Sequence, residues 1–178
     1  MKMELKEKLN LGSGKRKLVG YTNIDSDPNS NPDIVGNALN LNMIKDESVS
    51  EVYSEHLIEH FDIKEIDIFF NECRRILKPK GKFVVIVPDM EITLNRFCAG
   101  RYDLDYVDMF LFAHHRLREG CHMQGMYKAK LRRLCAKHSF KIIKMEHQDR
   151  EHSMNEIVME AVKEEIAKIW FNPIKNKG

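Results

Sequence analysis

A continuous apolar run at residues 82–87 restricts this chain of 178 residues to few folds. The run reads Lys82-Phe83-Val84-Val85-Ile86-Val87, and it lies between Lys78-Pro79-Lys80-Gly81 and Pro88. A strand whose successive side chains are nearly all apolar is covered on both faces, which is typical of the centre of a parallel sheet. We therefore expect an α/β domain in which helices cover a mainly parallel sheet.

Short apolar or β-branched segments predict the other strands of this sheet. They are Lys8–Leu11, Gly20–Ile24, Asp33–Gly36, Ser50–Ser54, Phe140–Met145 and Glu156–Val162. Apolar residues at helical spacing predict helices at 63–77, from Pro88 to about 113, at 128–137 and at 164–171. Pro79 and Gly81 are expected to end the first of these helices in a turn. No repeat or linker divides the chain, so we predict a single domain over residues 1–178.

Charge and composition exclude several classes of function. The sequence contains 29 basic and 27 acidic residues, so its net charge of +2 offers no basic patch for nucleic acid. No apolar stretch is long enough to span a bilayer, and the charged N-terminus is unlike a signal peptide. The four cysteines form no CxxC pair. These features predict a cytoplasmic protein that binds neither nucleic acid nor membranes.

Small and polar residues follow the first three predicted strands, where open α/β sheets bind their ligands. Gly12-Ser13-Gly14 follows the first strand, Asp25 ends the second, and Asn37 and Ala38 follow the third. Glycines allow a ligand to approach backbone N–H groups, a carboxylate accepts hydrogen bonds from ribose hydroxyls, and an amide can bind an adenine edge. Each feature alone is compatible with an ordinary turn, but their combination and order predict an adenosine-binding site.

The short distance from the glycines to the second strand distinguishes between nucleotide classes. A dinucleotide places its pyrophosphate at the N-terminus of a helix that follows the first strand. Only Ser13–Val19 separates the glycine turn from the second strand, which leaves hardly any room for such a helix. The GxxxxGK[ST] phosphate loop is also absent from the sequence. A ligand that contains adenosine but no phosphate fits better, and S-adenosylmethionine is such a ligand.

Several segments resemble motifs of the class I S-adenosylmethionine-dependent methyltransferases, in particular a type 11 group with a shortened first crossover. The segments are Leu9–Gly14, Gly20–Asp25, Ser54–Phe61, Arg74–Lys82 and Val87–Asp89. The resemblance implies a Rossmann-like fold with seven strands in the order 3-2-1-4-5-7-6, the last strand being antiparallel. It also implies an enzyme whose cofactor is S-adenosyl-L-methionine.

The resemblance also assigns residues to the methyl donor. The implied cofactor-binding residues are Gly12, Ser13 and Gly14 at the methionine end, Asp25 and Ser26 at the ribose, Asn37 and Ala38 at the adenine, and Glu55 near the sulfonium. The family usually has Asp where Asn37 lies. At most eight residues precede the first strand, in place of the family's N-terminal lid helix. We therefore expect an open donor site, completed by the substrate or by a second subunit of a homodimer.

Two histidines are the candidates for the catalytic side of the site. His56 follows the fourth strand, and it shares one face with His60 if that segment begins a helix. Imidazole is suited to proton transfer near neutral pH, although a histidine here can equally hydrogen-bond a neighbouring loop. His122 lies between the fifth strand and the last helix, where the family often carries an acceptor-binding insertion.

The segment around His122 has three possible roles. It can recognise the acceptor through Arg116 and His122, or it can form a solvated loop. It also contains a group of potential zinc ligands: His114, His115, Cys121 and His122. Their spacing departs from that of the usual zinc motifs, so no metal is expected.

The sequence thus predicts a methyltransferase that acts on an oxygen or nitrogen atom of a small-molecule acceptor. The Pro-Cys and Asp/Asn-Pro-Pro-aromatic motifs of enzymes that methylate nucleic-acid bases are absent. The alternative is a non-catalytic module that binds S-adenosylmethionine or adenosine.

Overall fold

A computed structural model describes residues 5–112, 121–149 and 155–165, and its strands form one sheet. The strands are β1 (Lys8–Leu11), β2 (Thr22–Asp25), β3 (Ile34–Val35), β4 (Val49–Glu55), β5 (Leu77–Pro88), β6 (Phe140–Gln148) and β7 (Glu156–Lys163). Their order is β3-β2-β1-β4-β5-β7-β6. β7 pairs antiparallel with both β5 and β6, and the other pairs are parallel. The predicted strand order and antiparallel last strand are therefore confirmed.

Helices connect these strands within the described residues. They are α1 (Ile63–Ile76), α2 (Met90–Cys98), α3 (Leu104–Phe112) and α4 (Lys128–Lys137), with 3-10 turns at Pro28–Ser30 and Ile58–His60. α1 begins at a capping box, in which Asp62 accepts from the backbone of Glu65 and the Glu65 side chain accepts from the backbone of Asp62. In the part of the chain that the structure describes, no helix is both long and apolar enough to cross a membrane.

Two predicted boundaries are wrong. α1 ends at Ile76, but no separate turn follows, because β5 already begins at Leu77. Leu77 pairs with Val49, and the register shifts before the pairing continues at Lys82, so residues 78–81 form an irregular part of the strand. The helical stretch after Pro88 is divided into α2 and α3 around Gly100, whose φ is +69°. The predicted helix at 164–171 lies largely outside the described residues.

Aromatic side chains fix α1 on the face of the sheet. The rings of Phe70 on α1 and Phe83 on β5 pack edge to face, with centroids 5.3 Å apart. Phe83 also lies 4.9 Å from Phe140 of β6, and all three side chains are buried. Such contacts stabilise a core beyond the burial of apolar area alone. They hold α1 against β5, next to β6.

Buried hydrogen bonds hold the connection between β1 and β2. Residues 12–21, all of them described, form turns without a helix, as predicted. Asn23 of β2 is buried, and its Oδ1 accepts from the Leu18 backbone N–H at 2.8 Å and from Asn10 Nδ2 at 3.0 Å. Its Nδ2 donates to Asp33 Oδ2 at 2.8 Å, and its backbone N–H donates to the same oxygen at 2.9 Å. The hydrogen bond from the Asn23 backbone N–H is the main reason why the pKa of Asp33 lies below its usual value.

We expect Asn23→Ala to lower the free energy of unfolding by about 2–3 kcal/mol, because it leaves buried polar partners unsatisfied. Urea unfolding measures this change. Asn40→Ala is the matched control at an exposed asparagine, and it should change the stability by less than about 0.5 kcal/mol. Equal effects of the two substitutions would contradict a structural role for Asn23.

Candidate active site

The turn after β1 requires glycine at its first position. Gly12 has φ of +67° and Gly14 has φ of +49°, a backbone conformation that other residues rarely adopt. The backbone N–H groups of Gly12 and Ser13 both donate to the Ile24 carbonyl, at 2.9 and 3.1 Å. A Cβ at Gly12 would also lie 2.7 Å from Cδ1 of Leu57. The backbone angle therefore disfavours a side chain at Gly12, and a Cβ there would also displace the side chain of Leu57.

Asp25 closes this turn from the end of β2. Its Oδ2 accepts from the Gly14 N–H at 2.6 Å, and its Oδ1 accepts from the Asp27 N–H at 2.9 Å. Each carboxylate oxygen can accept more than one hydrogen bond. The backbone contacts therefore orient the Asp25 carboxylate and still leave it capacity for the hydroxyl groups of a ligand.

Two cavities meet at this turn, with Gly12, Gly14 and His56 in the wall of both. One has a volume of about 250 Å³, and its wall includes Asp25, Ser26, Asn37 and Ala38. The other has a volume of about 370 Å³, and its wall includes Ser13, Arg16, Tyr53 and Glu55. The fold thus brings all eight residues predicted to bind the cofactor into one continuous region at the carboxyl edge of the sheet.

Arg16 and Glu55 form an ion pair in the wall of the larger cavity. The Arg16 guanidinium, from the turn between β1 and β2, donates to the Glu55 carboxylate at the end of β4. The Tyr53 hydroxyl donates to the same carboxylate. The Glu55 side chain is only 11% exposed, whereas that of Arg16 is 58% exposed. No local motif marks Arg16 as a site residue, because its partner lies 39 residues away.

His56 lies between two carboxylates. The prediction that His56 and His60 share a helical face is wrong. His56 has φ of +51° and lies before the short 3-10 turn Ile58–His60, which contains His60. Its Nε2 is 2.7 Å from Glu156 Oε1, and its Nδ1 is 3.2 Å from Glu59 Oε1. Burial alone lowers the pKa of His56, but the hydrogen bonds with Glu156 and Glu59 outweigh burial and raise the pKa to about 9. A ring that is charged at neutral pH donates from both nitrogens.

His122 is not among the described residues that line these two cavities. Its Nδ1 donates to the Phe110 carbonyl at 2.7 Å, and its ring centroid lies 5.1 Å from that of His60. Burial holds the pKa of His122 below its usual value. The structure therefore places the two predicted catalytic histidines in different surroundings. Residues 114–116, which belong to the predicted acceptor or zinc segment, lie outside the described residues.

Comparisons with known proteins agree with this architecture. A family model described as "Methyltransferase domain" matches residues 17–85, from the turn after β1 into β5. A solved structure of an S-adenosylmethionine-dependent methyltransferase from Methanosarcina mazei is 19% identical, with a TM-score of 0.68 over 91% of this chain and 94% of that one. The chain has the fold of a class I methyltransferase. The predicted resemblance is thereby confirmed.

Other solved structures share this methyltransferase fold. A methyltransferase from Archaeoglobus fulgidus is 13% identical, with a TM-score of 0.64 over 90% of this chain and 87% of that one. Another is the 1,6-didemethyltoxoflavin-N1-methyltransferase of Burkholderia thailandensis, solved with 1,6-didemethyltoxoflavin and S-adenosylhomocysteine bound. It is 12% identical, with a TM-score of 0.63 over 89% of this chain and 71% of that one. The family match and these structures also support the predicted cofactor, S-adenosylmethionine. A comparison with curated proteins found no match.

The turn at Gly12 can be tested against a second glycine that has nearly the same backbone angle. Gly12→Ala should lower the free energy of unfolding by about 1–2 kcal/mol for the left-handed backbone and by a further 1–3 kcal/mol, roughly, for the collision with Leu57. Gly100 has φ of +69° and open space around it, so Gly100→Ala should show only the first effect. Urea unfolding compares the two variants. If Gly12→Ala and Gly100→Ala lose the same free energy of unfolding, the contact with Leu57 does not restrict position 12.

Proposed function

We propose that this protein transfers the methyl group of S-adenosylmethionine to an oxygen or nitrogen atom of a small-molecule acceptor. The observation that carries the proposal is the meeting of two cavities at Gly12, Gly14 and His56. In this proposal the adenosine lies in the smaller cavity and the methionine in the larger one. The sulfonium, which joins these two parts of the donor, then lies at the junction.

The smaller cavity has chemistry that suits adenosine. The Asp25 carboxylate accepts hydrogen bonds from the ribose hydroxyls, with Ser26 beside it. Asn37 Oδ1 already accepts from the Leu39 N–H at 2.9 Å, so the Asn37 amide group serves as the donor towards an adenine nitrogen. Ala38 is buried and offers an apolar surface next to the base. These contacts bind adenosine without any group that requires a phosphate.

The larger cavity has chemistry that suits an amino acid. The methionine part of the donor carries an ammonium and a carboxylate, and the wall carries charged groups of both signs, among them Arg16 and Glu55. Glu55 accepts from the ammonium, while Arg16 donates to the carboxylate, and charge-assisted hydrogen bonds of this kind are stronger than neutral ones. Ser13 and Gly14 contribute the backbone that borders this part of the ligand.

Methyl transfer at this junction is an in-line displacement. A lone pair of the acceptor atom forms a bond to the methyl carbon while the carbon–sulfur bond breaks and its electron pair remains on sulfur. S-adenosylhomocysteine leaves, and an acceptor that carries a proton releases it to solvent or to a base. Alignment of acceptor, methyl and sulfur supplies much of the acceleration. The catalytic roles of His56 and His122 remain predictions.

Two observations support a small-molecule acceptor. The Burkholderia enzyme of similar fold binds 1,6-didemethyltoxoflavin together with S-adenosylhomocysteine. The net charge of +2 does not favour a nucleic acid, whose binding depends on many neutralised phosphates. To test the transfer, the protein is incubated with S-adenosylmethionine and pooled small hydroxyl and amine compounds, and the formation of S-adenosylhomocysteine is measured. Binding of the donor without turnover of any compound would favour the non-catalytic module.

Binding measurements with two ligands separate the two halves of the donor site. Asp25→Ala should weaken both S-adenosylhomocysteine and 5′-methylthioadenosine by about 1.5–3 kcal/mol, because both contain the ribose. Calorimetric titration measures the affinities. Asp27→Ala is the matched control, since its side chain only caps the neighbouring 3-10 turn. Unchanged affinity in Asp25→Ala would remove Asp25 from the site, and binding of NAD but of neither adenosyl compound would overturn the proposed function.

Arg16→Ala should affect only the ligand that contains an amino acid. We expect S-adenosylhomocysteine to bind more weakly by about 0.5–1.5 kcal/mol, because one charged donor is lost at a largely exposed position. 5′-Methylthioadenosine lacks the ammonium and carboxylate groups, so its affinity should not change. The same calorimetric titration provides the comparison. An equal loss for both ligands contradicts the placement of the methionine beside Arg16.

A further inference from the structure

Three side chains that can bind a metal meet beside the candidate active site. They are Glu59, His60 and His122, and one ligand-capable atom from each lies within 4.8 Å of the others. Glu59 and His60 belong to the 3-10 turn after β4, whereas His122 comes from the segment that follows α3. Of these three, only His122 is among the potential zinc ligands of the sequence, for which no metal is expected, because the fold alone brings Glu59 and His60 beside it.

The Glu59 carboxylate is buried but only partly satisfied. Glu59 is 1% exposed, and its Oε1 lies 3.2 Å from His56 Nδ1. Its Oε2 is also buried and has no hydrogen-bond partner among the described residues. A buried carboxylate oxygen without a partner is energetically costly, and a bound cation would offset that cost. Glu59 and His122, but not His60, also line a small cavity of about 10 Å³, roughly the volume that one water molecule requires.

Each of the two histidines uses one ring nitrogen in a hydrogen bond to a backbone carbonyl. His60 Nδ1 donates to the Cys121 carbonyl at 3.1 Å, and His122 Nδ1 donates to the Phe110 carbonyl at 2.7 Å. With the proton on Nδ1, the Nε2 atom of each ring carries a free lone pair. A hydrogen bond from the second ring nitrogen to a carbonyl fixes the tautomer and the ring position of histidines that bind metals.

We propose that Glu59, His60 and His122 bind one divalent transition-metal ion of the zinc class. Two imidazoles and one carboxylate are a known donor set for zinc and leave one coordination position for water or another ligand. Magnesium and calcium prefer oxygen ligands throughout, so this group does not suit them. Ligand atoms around tetrahedral zinc are about 3.4 Å apart, so atoms that lie up to 4.8 Å apart approach one another by up to about 1.4 Å when they close on the ion.

The ion fastens the segment after α3 to the end of β4. The backbone N–H groups of Met123 and Gln124 already donate to the Glu59 carbonyl, at 2.7 and 3.1 Å. Coordination by His122 adds a second connection between the same two parts of the chain. Glu59 contacts His56, which lines both cavities of the candidate active site. None of the three proposed ligands is itself assigned to the methyl donor, so zinc binding can be tested independently of the proposed methyl transfer.

Zinc binding to the full chain tests this proposal. The purified protein is treated with a chelator, dialysed and titrated with zinc chloride in a calorimeter, while elemental analysis gives the metal content before treatment. We expect one zinc ion per chain and a higher midpoint of thermal unfolding when zinc is present. Absence of stoichiometric zinc in both measurements overturns the proposal and leaves a cavity that holds water.

Variants show whether the three side chains are the ligands. Glu59→Gln keeps the shape of the side chain, and His122→Ala removes one imidazole. Each should weaken zinc binding at least about 100-fold and abolish the zinc-dependent shift in thermal unfolding. His147→Ala is the matched control, because His147 contacts Asp149 and Asp89 and is not a member of the group, and it should bind zinc like the unaltered chain. Circular dichroism confirms that each variant is folded. Unaltered zinc affinity in both ligand variants refutes the assignment.

Discussion

The side chain of Asn23 holds the short connection between β1 and β2, and the shape of the candidate site depends on this connection. A connection with a helix would pack an apolar face against the sheet, whereas residues 12–21 have no such face. Hydrogen bonds from Leu18 and Asn10 to Asn23 replace that packing. Two residues further along the same strand, Asp25 accepts the Gly14 N–H. One strand therefore both anchors the turn and places the Asp25 carboxylate in the wall of a cavity.

Features that depend on local patterns could be predicted from the sequence, whereas features that depend on distant partners could not. The bounds of β1 and α4 agree with the prediction, because apolar spacing and flanking turn residues determine them. The start of β5 was not predictable, since Leu77 joins the strand by pairing with Val49. The glycine turn and Asp25 carry a motif. The Arg16–Glu55 pair carries none, because only the folded sheet brings its members together.

His56 illustrates how the surroundings determine the chemistry of a predicted site residue. The residue lies in the wall of both cavities. Its contacts, however, come from Glu59, three residues away, and from Glu156 on β7. The left-handed backbone of His56 lies just before the 3-10 turn that contains Glu59, and the sheet order places Glu156 of β7 next to β5. The spacing of the histidines in the sequence indicates neither contact, and the shared face with His60 that it suggested is wrong.

β7 is the last of the described strands along the chain, yet it lies inside the sheet between β5 and β6. While the ribosome is still making the chain, β5 has β4 on one side and an unpaired apolar edge on the other. Such edges invite contact with other chains, so the nascent protein passes through an aggregation-prone stage before β7 emerges. Glu156 reaches His56 only at that final pairing. The wall of the pocket is thus completed last, although its glycines are synthesised first.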